Sequence, residues 1–485
     1  MFTLSFLRQL RGRGAHFVRM DEAKKLLGSV AISPKIIEEI NAQVKDIAAF
    51  KAKIKEYLVE NVTGLLDVIL YGAIALDASD VHIEPQEEEA RLRIRLDGIL
   101  QDVVFFDHNT YHHLLSRLKL LSKLKLNITD KPQDGRFTIE INDLLIEVRT
   151  SSLPAEYGES IVMRILNPKS LISLDDLGLR KDLYKTFQKE IEKPNGMIIV
   201  TGPTGSGKTT TLYAFLKKIQ NPEIKIITIE DPIEYHLKGI SQTQAAPEKG
   251  YDFSDGLRSI VRQDPDVILV GEIRDLETAK IALQAALTGH LVLSTLHTND
   301  AAGTIPRLVD LGVEPSSIAS GLKMAVAQRL VRKVCKKCST LLKPTASELA
   351  EIKKGLKNLS SSVKIPDLDK IQITKVKVPK PSGAGIPVAE GDLGKDGCEA
   401  CNFTGYKGRQ GLFEAFLVDS EMEKFILTNP PVSSIRELAI KKGMITMYQS
   451  GLIDVVLGKT TLEEVLRVVE SDAEQTPTDA EQTRK

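Results

Sequence analysis

Met197-Ile198-Ile199-Val200-Thr201-Gly202-Pro203-Thr204-Gly205-Ser206-Gly207-Lys208-Thr209-Thr210-Thr211-Leu212-Tyr213-Ala214-Phe215 reads as an apolar strand, a glycine-rich loop and the start of a helix. The loop, Gly202 to Thr209, fits the pattern G-x-x-x-x-G-K-[ST], and the strand and helix around it are the context that pattern requires. Its small residues let successive backbone N–H groups close on phosphate oxygens, and the helix N-terminus behind them favours the same negative charge. Gly202, Pro203, Thr204, Gly205, Ser206, Gly207, Lys208, Thr209 and Thr210 form the expected cradle. Lys208 is placed to reach the β- and γ-phosphates, and the Thr209 hydroxyl to bind Mg²⁺. The pattern implies a nucleoside triphosphate as ligand.

Outward from this stretch, residues 169–334 alternate short apolar strands with helices. Ile226–Ile229, Val267–Val270 and Leu291–Ser294 are further strands of a mostly parallel sheet with helices on both faces, an α/β fold. Residues 61–168 switch to a period of two, as in Arg91-Leu92-Arg93-Ile94-Arg95-Leu96, and predict a small α+β domain. Ahead of it, residues 1–60 read as a short helical region: Ser33-Pro34 caps a helix that carries Ile36, Ile37, Ile40, Val44, Ile47, Ile54 and Tyr57. Residues 335–410 hold two cysteine pairs around a long polar insertion that is expected to be extended. Residues 411–470 read as helical, and the repetitive tail 471–485 has no apolar content to fold it.

Composition narrows the function classes. The 485 residues include 65 basic and 65 acidic side chains, so net charge points to neither nucleic acid nor an acidic substrate. No apolar run approaches the roughly eighteen residues of a membrane span. Arg8, Arg11 and Arg13 soon interrupt a short apolar patch at the N-terminus, which makes a poor signal peptide and reads as a frayed basic end, with a weak surface anchor as the second reading.

Triphosphate hydrolysis requires carboxylates beyond the loop. Two acidic clusters follow strands of the same sheet, Glu230-Asp231-Pro232-Ile233-Glu234 and Gly271-Glu272-Ile273-Arg274-Asp275. A third strand ends in Ser294-Thr295-Leu296-His297-Thr298-Asn299. Ligands of α/β sheets lie at such strand ends. Glu230 and Asp231 remain open between a site role and the satisfaction of loop N–H groups.

All four cysteines fall in two C-x-x-C pairs, Cys335/Cys338 and Cys398/Cys401. That set suits tetrahedral thiolate coordination of Zn²⁺, against the rival of a redox dithiol, which normally comes as one pair. Lys333, Lys336, Lys337 and Lys343 beside the first pair read as a solvated face, with contact to a protein partner as the second reading.

These words, in order, resemble the ATPases that drive type II secretion and type IV pilus assembly. The resemblance is carried by Ala78-Ser79-Asp80-Val81-His82-Ile83-Glu84-Pro85, Pro132-Gln133-Asp134-Gly135-Arg136, Gly202–Thr209, Glu230–Glu234, Asp264–Asp275 and Thr288–His297. It implies a RecA-like P-loop core after a PAS-like α+β domain, with ATP, Mg²⁺ and Zn²⁺ as ligands. It also implies Glu234 as general base, Glu272 as the acid that holds Mg²⁺ through water, and His297, less firmly His290, as γ-phosphate sensors. His290 has the competing reading of a core histidine bonded to backbone. Arg149 and Arg164 match arginines that meet the nucleotide's phosphates, competing with ordinary strand-surface ion pairs.

The implied assembly is a homohexamer at the inner face of the cytoplasmic membrane. It would act on a membrane platform protein, with a cytoplasmic adaptor as a further partner and no nucleic acid. A pilus, a secretion pseudopilus and a DNA-uptake filament stay open as its product. A nucleotide-dependent scaffold and a nucleic-acid translocase are the rival classes. Two departures from the family pattern are the short region before the first motif and Ser450-Gly451-Leu452-Ile453-Asp454, less polar than the matching turn.

Overall fold

The computed structural model describes residues 28–60, 62–142, 144–359, 363–376 and 397–470. The expectations for the N-terminal Arg8–Arg13 stretch, for Ser360–Ser362, for Pro379–Gly383 and for the tail fall outside them. The chain divides into two compact units, Met1–Pro168 and Lys169–Lys485.

The first unit is a seven-stranded sheet with helices on one face. Its strands are β1 (Ser29–Ala31), β2 (Asp80–Pro85), β3 (Ala90–Leu96), β4 (Ile99–Phe106), β5 (Gln133–Ile141), β6 (Leu144–Ala155) and β7 (Gly158–Leu166), in the order β1-β5-β6-β7-β2-β3-β4. All neighbours are antiparallel except β1 and β5. The period-two pattern decides which face is which. In β3 every apolar residue, Ala90, Leu92, Ile94 and Leu96, is buried, while Arg91, Arg93 and Arg95 point the other way. Helices 34–43, 47–60 and 62–75 supply Ile40, Phe50, Ile54, Leu65 and Ile69 to the same core.

Two expectations are corrected here. Residues 29–60 are part of this unit rather than a region of their own, because β1 pairs with β5 and the helices that follow bury their apolar stripes in its core. The single helix expected after Pro34 is also two, since Asp46 accepts a hydrogen bond from Ala49 N at 2.7 Å and starts the second at Ile47.

The second unit is built on β8 (Gly196–Thr201), β9 (Ile226–Glu230), β10 (Ser241–Gln244), β11 (Val267–Val270), β12 (Leu291–Leu296) and β13 (Leu322–Val334). A two-stranded sheet of β14 (Thr340–Leu342) and β15 (Ile373–Lys375) follows, and then β16 (Tyr406–Leu417). The order is β10-β9-β11-β12-β8-β13-β16, parallel throughout except for β16 on β13. Every residue of β8 is buried, as expected of a central parallel strand covered on both faces. Met197 and Ile199 face one core with helices 253–261 and 276–287; Ile198 and Val200 face the other with helices 181–191 and 208–219.

Sequence periodicity missed β16. Residues 411–417, read as the start of a helical region, are strand, because Leu412, Phe413 and Phe416 are needed to close the sheet edge beside β13. Helices 420–426, 432–441, 447–456 and 462–468 then pack into the first of the two cores. The insertion between the cysteine pairs is not wholly extended either. Thr345 and Glu348 form a reciprocal capping box that opens a helix over 346–355.

A nucleotide-type site at four strand ends and a four-cysteine cluster

The loop after β8 has the geometry its glycines predict. Gly202, Gly205 and Gly207 have φ of +148°, +80° and +89°, a region that side chains with a Cβ rarely adopt. A Cβ on Gly202 would meet the Gln328 carbonyl at 2.6 Å, and one on Gly207 would meet Gln328 Nε2 at 2.8 Å. Gly207 is the N-cap of the helix Lys208–Ile219. Lys208 Nζ donates to the carbonyls of Gly202 at 2.7 Å and Pro203 at 3.2 Å, and burial pushes its ammonium pKa down. A half-buried cation ringed by backbone amides is a site that an anion stabilises. Ser206 Oγ, buried in the same loop, has no hydrogen-bond partner among the described residues.

The neighbouring strand ends bring Glu272 and His297 to that lysine. Thr295 Oγ1 donates to Gly271 O at 2.7 Å and Ile273 N to Thr295 O at 3.1 Å, which pins the turn after β11 against β12. Glu272, mostly buried, then pairs with Arg274 at 2.5 Å and lies 3.6 Å from His297 Nε2. Burial, helped by the charges of Lys208 and Arg274, pushes the His297 pKa below its ordinary value against the pull of Glu272. The ring is therefore neutral at neutral pH and can donate through one nitrogen and accept through the other. Thr201 Oγ1 accepts from Thr298 N at 2.8 Å and ties the loop bearing His297 to the end of β8.

Other acidic positions separate into different roles. Glu230 is a buried lock at the end of β9: Tyr213 OH, Thr228 Oγ1 at 2.6 Å and Gln242 Nε2 at 3.2 Å all donate to it, and burial pushes its carboxyl up. Glu234 stands four residues on, near enough for its charge to push Glu230 further in the same direction. Asp231 acts electrostatically on Arg274. Asp275 caps helix 276–287 through Thr278 N at 2.8 Å. His290 lies at the opposite end of β12 from the phosphate loop, its Nδ1 3.0 Å from Ala285 O, in the backbone-bonded arrangement of a core histidine. In the first unit, Arg149 and Arg164 are direct cross-strand neighbours on β6 and β7.

Sequence reading overlooked Gln328 and Arg329 on β13. Gln328 Oε1 accepts from Thr211 Oγ1 at 2.7 Å, and Arg329 Nη2 donates to Asn299 O at 2.9 Å, so the pair ties β13 to the helix that follows the phosphate loop and to the loop that follows β12. The available signal was a glutamine in the middle of an apolar strand, which needs a buried partner.

The four cysteines converge. Their Sγ atoms all lie within 4.8 Å of one another, with Cys335–Cys398 at 3.7 Å, Cys338–Cys401 at 3.6 Å and Cys398–Cys401 at 3.8 Å. Four thiolates held tetrahedrally at about 2.3 Å from a zinc ion stand about 3.8 Å apart. Gly405 N also donates to Cys401 Sγ at 3.3 Å, a bond that stabilises thiolate. The dimensions fit a metal centre rather than a pair of disulfides.

Known proteins are similar to this chain. The model of the family described as "Type II/IV secretion system protein" matches residues 58–467. The type II secretion system protein E of Xanthomonas campestris pv. campestris is 41% identical over 408 residues, which is 84% of this chain and 67% of that protein. The type II secretion system ATPase E of Vibrio cholerae is 40% identical over 441 residues, covering 89% and 82%. The type IV pilus assembly ATPase PilB of Thermus thermophilus is 41% identical over 399 residues, covering 82% of this chain but 42% of its own length. Among solved structures, the pilus retraction motor PilT with bound ADP aligns over 86% of this chain and 98% of its own, with a TM-score of 0.53 and 26% identity. The ATPase DotB of Legionella pneumophila has the same fold, with a TM-score of 0.57 at 21% identity over 83% and 94% of the two chains. No helix among the described residues is long and apolar enough to cross a membrane. With its phosphate loop, its acidic strand ends and its cysteine cluster in that order, this chain belongs to the type II/IV secretion system protein family.

Proposed function

We propose that the chain is an ATP-hydrolysing motor of a type II secretion or type IV pilus assembly machine. The observation that carries this reading is the meeting of Lys208, Glu272 and His297 at the ends of three adjacent parallel strands. A loop that only bound Mg-nucleotide would not need a neutral imidazole beside the carboxylate that faces its lysine.

Gly202 to Thr210 hold the phosphates through backbone N–H groups and the Lys208 ammonium. Thr209 and, through water, Glu272 would hold Mg²⁺, which would supply positive charge against the phosphates. Glu234 takes the proton of the attacking water, and His297 donates to the γ-phosphate side. Arg149 and Arg164 add positive charge where it builds up in the transition state. Cys335, Cys338, Cys398 and Cys401 hold Zn²⁺ as a structural centre, since four ligands leave no open position for chemistry.

The working assembly is a homohexamer on the cytoplasmic face of the inner membrane. It acts on a membrane platform protein, with a cytoplasmic adaptor as a further partner. Steady-state hydrolysis of Mg-ATP tests the core of this reading. The chain turns over ATP, Lys208→Ala lowers turnover by about 100-fold or more without loss of fold, and added DNA changes neither. Absence of turnover would leave the nucleotide-dependent scaffold, and stimulation by DNA would favour the translocase.

A further inference from the structure

The segment from Thr298 to Gly303 follows His297 directly and joins β12 to the helix over 304–310. Its backbone groups lie outside any strand or helix and must find partners elsewhere. Charged side chains of the same unit supply them. Arg329 on β13 donates to Asn299 O at 2.9 Å. Glu414 on β16 accepts from Ala301 N at 2.8 Å and, with its other oxygen, from Met447 N at 2.9 Å. Asp300 accepts from Gly303 N at 2.7 Å through one oxygen and from the Arg436 guanidinium through the other, which fastens the segment to helix 432–441.

These two carboxylates and two guanidinium groups act on one another. Burial pushes the Glu414 carboxyl up, and the charge of Asp300 does the same, against its two N–H donors and Arg436. Burial lowers the Arg329 pKa, and Glu414 and Asp300 oppose that shift. In such a balanced, poorly solvated group, loss of one charge leaves its partner uncompensated. The path from there to His297 is short. Thr298 Oγ1 donates to Asp300 O at 2.8 Å, while Thr298 N donates to Thr201 Oγ1 at 2.8 Å. The His297 side chain is itself 53% exposed and lies 3.6 Å from Glu272. The backbone beside it, more than packing around its ring, therefore sets where the imidazole stands.

We propose that Asp300 and Arg436 are positioning residues for His297: their ion pair holds the segment after β12 against helix 432–441 and so fixes the imidazole beside Glu272. This rests on the reading of the chain as an ATPase in which His297 serves the γ-phosphate side. The test is made on the purified full chain, measuring kcat and KM for Mg-ATP together with ADP affinity by calorimetry. Asp300→Asn keeps an acceptor for Gly303 N and removes the charge that attracts Arg436. It lowers kcat about tenfold with ADP affinity unchanged to within about twofold, and Arg436→Ala does the same. Arg436→Lys keeps the charge but not the fork, and recovers part of the rate. The losses do not multiply in the Asp300→Asn, Arg436→Ala double variant, and neither adds to the loss in His297→Ala. Native kcat in Asp300→Asn and Arg436→Ala, next to an impaired His297→Ala, overturns the positioning role and leaves the ATPase reading intact. Losses that multiply with that of His297→Ala, or that fall equally on ADP affinity, overturn it as well, since they mark a part in folding or in nucleotide binding. Native turnover in His297→Ala overturns the inference together with the role of His297. A native chain without turnover overturns the ATPase reading and the inference with it.

Discussion

Gly207 shows how tightly single residues are fixed around the phosphate loop. Its φ of +89° ends the loop and begins the helix, and a Cβ there would press on Gln328 Nε2 at 2.8 Å. Gly207→Ala is expected to cost about 1–2 kcal/mol in stability from the left-handed backbone alone. It should weaken ATP binding as well, because the displaced loop no longer aims its N–H groups together; thermal melts and nucleotide titration read the two effects. The loop was legible in the sequence because its glycines, lysine and threonine are local in the chain. Gln328 was not, since it is brought beneath the loop only when β13 docks against β8. Glu230 illustrates the opposite case. It looks like its neighbours in the acidic cluster, yet three donors in a buried pocket make it a lock, which no spacing could reveal.

Among elements, β13 and β16 are the pair through which the cysteine cluster and the C-terminal helices join the sheet. Cys335 follows β13 directly, and Cys401 precedes β16 by a short turn. The cluster therefore clips the outer ends of two antiparallel strands. Replacing Cys338 by Ser should lower zinc content from one per chain and loosen this hairpin, measured by metal analysis and by hydrogen exchange in β16; full zinc content in the variant would contradict the four-ligand assignment.

A second clip is ionic. Glu464 accepts from Arg332 N at 3.0 Å, from the Arg332 guanidinium at 2.7 Å and from Arg467 at 2.8 and 2.7 Å, tying helix 462–468 to β13. Burial opposes ionisation, but these donors outweigh it and hold the carboxyl at about 2, below its ordinary 4.5. A depressed carboxyl contributes stability above its unfolded pKa and loses it as pH falls through the folded value. The melting-temperature gap between the native chain and Glu464→Gln should thus be widest near neutrality and close between pH values of about 4.5 and 2. A gap that stayed constant with pH would show that Glu464 acts by packing alone. The sequence signalled the cysteine pairs by their spacing and the helices by their period. It concealed β16, because Gly411-Leu412-Phe413-Glu414-Ala415-Phe416 carries no clean alternation when both faces of a strand are buried.

On the scale of the whole molecule, the two units concentrate different side chains. The second unit gathers a phosphate loop, a mostly buried carboxylate and a neutral histidine at the ends of parallel strands, where α/β sheets place their ligands. The first presents a row of arginines on the face of its sheet turned away from the helices. Both folds were readable from the switch between period-two and alternating strand–helix patterns, whereas the arginine row depends on register between strands far apart in sequence. The central claim is that the strand-end site hydrolyses the nucleotide it binds. Glu272→Gln tests it most directly, since it keeps the shape of the side chain and removes its charge. The account predicts that ATP binding is retained to within about tenfold while turnover falls about 100-fold or more. Native turnover in Glu272→Gln, with ATP bound as before, would contradict it.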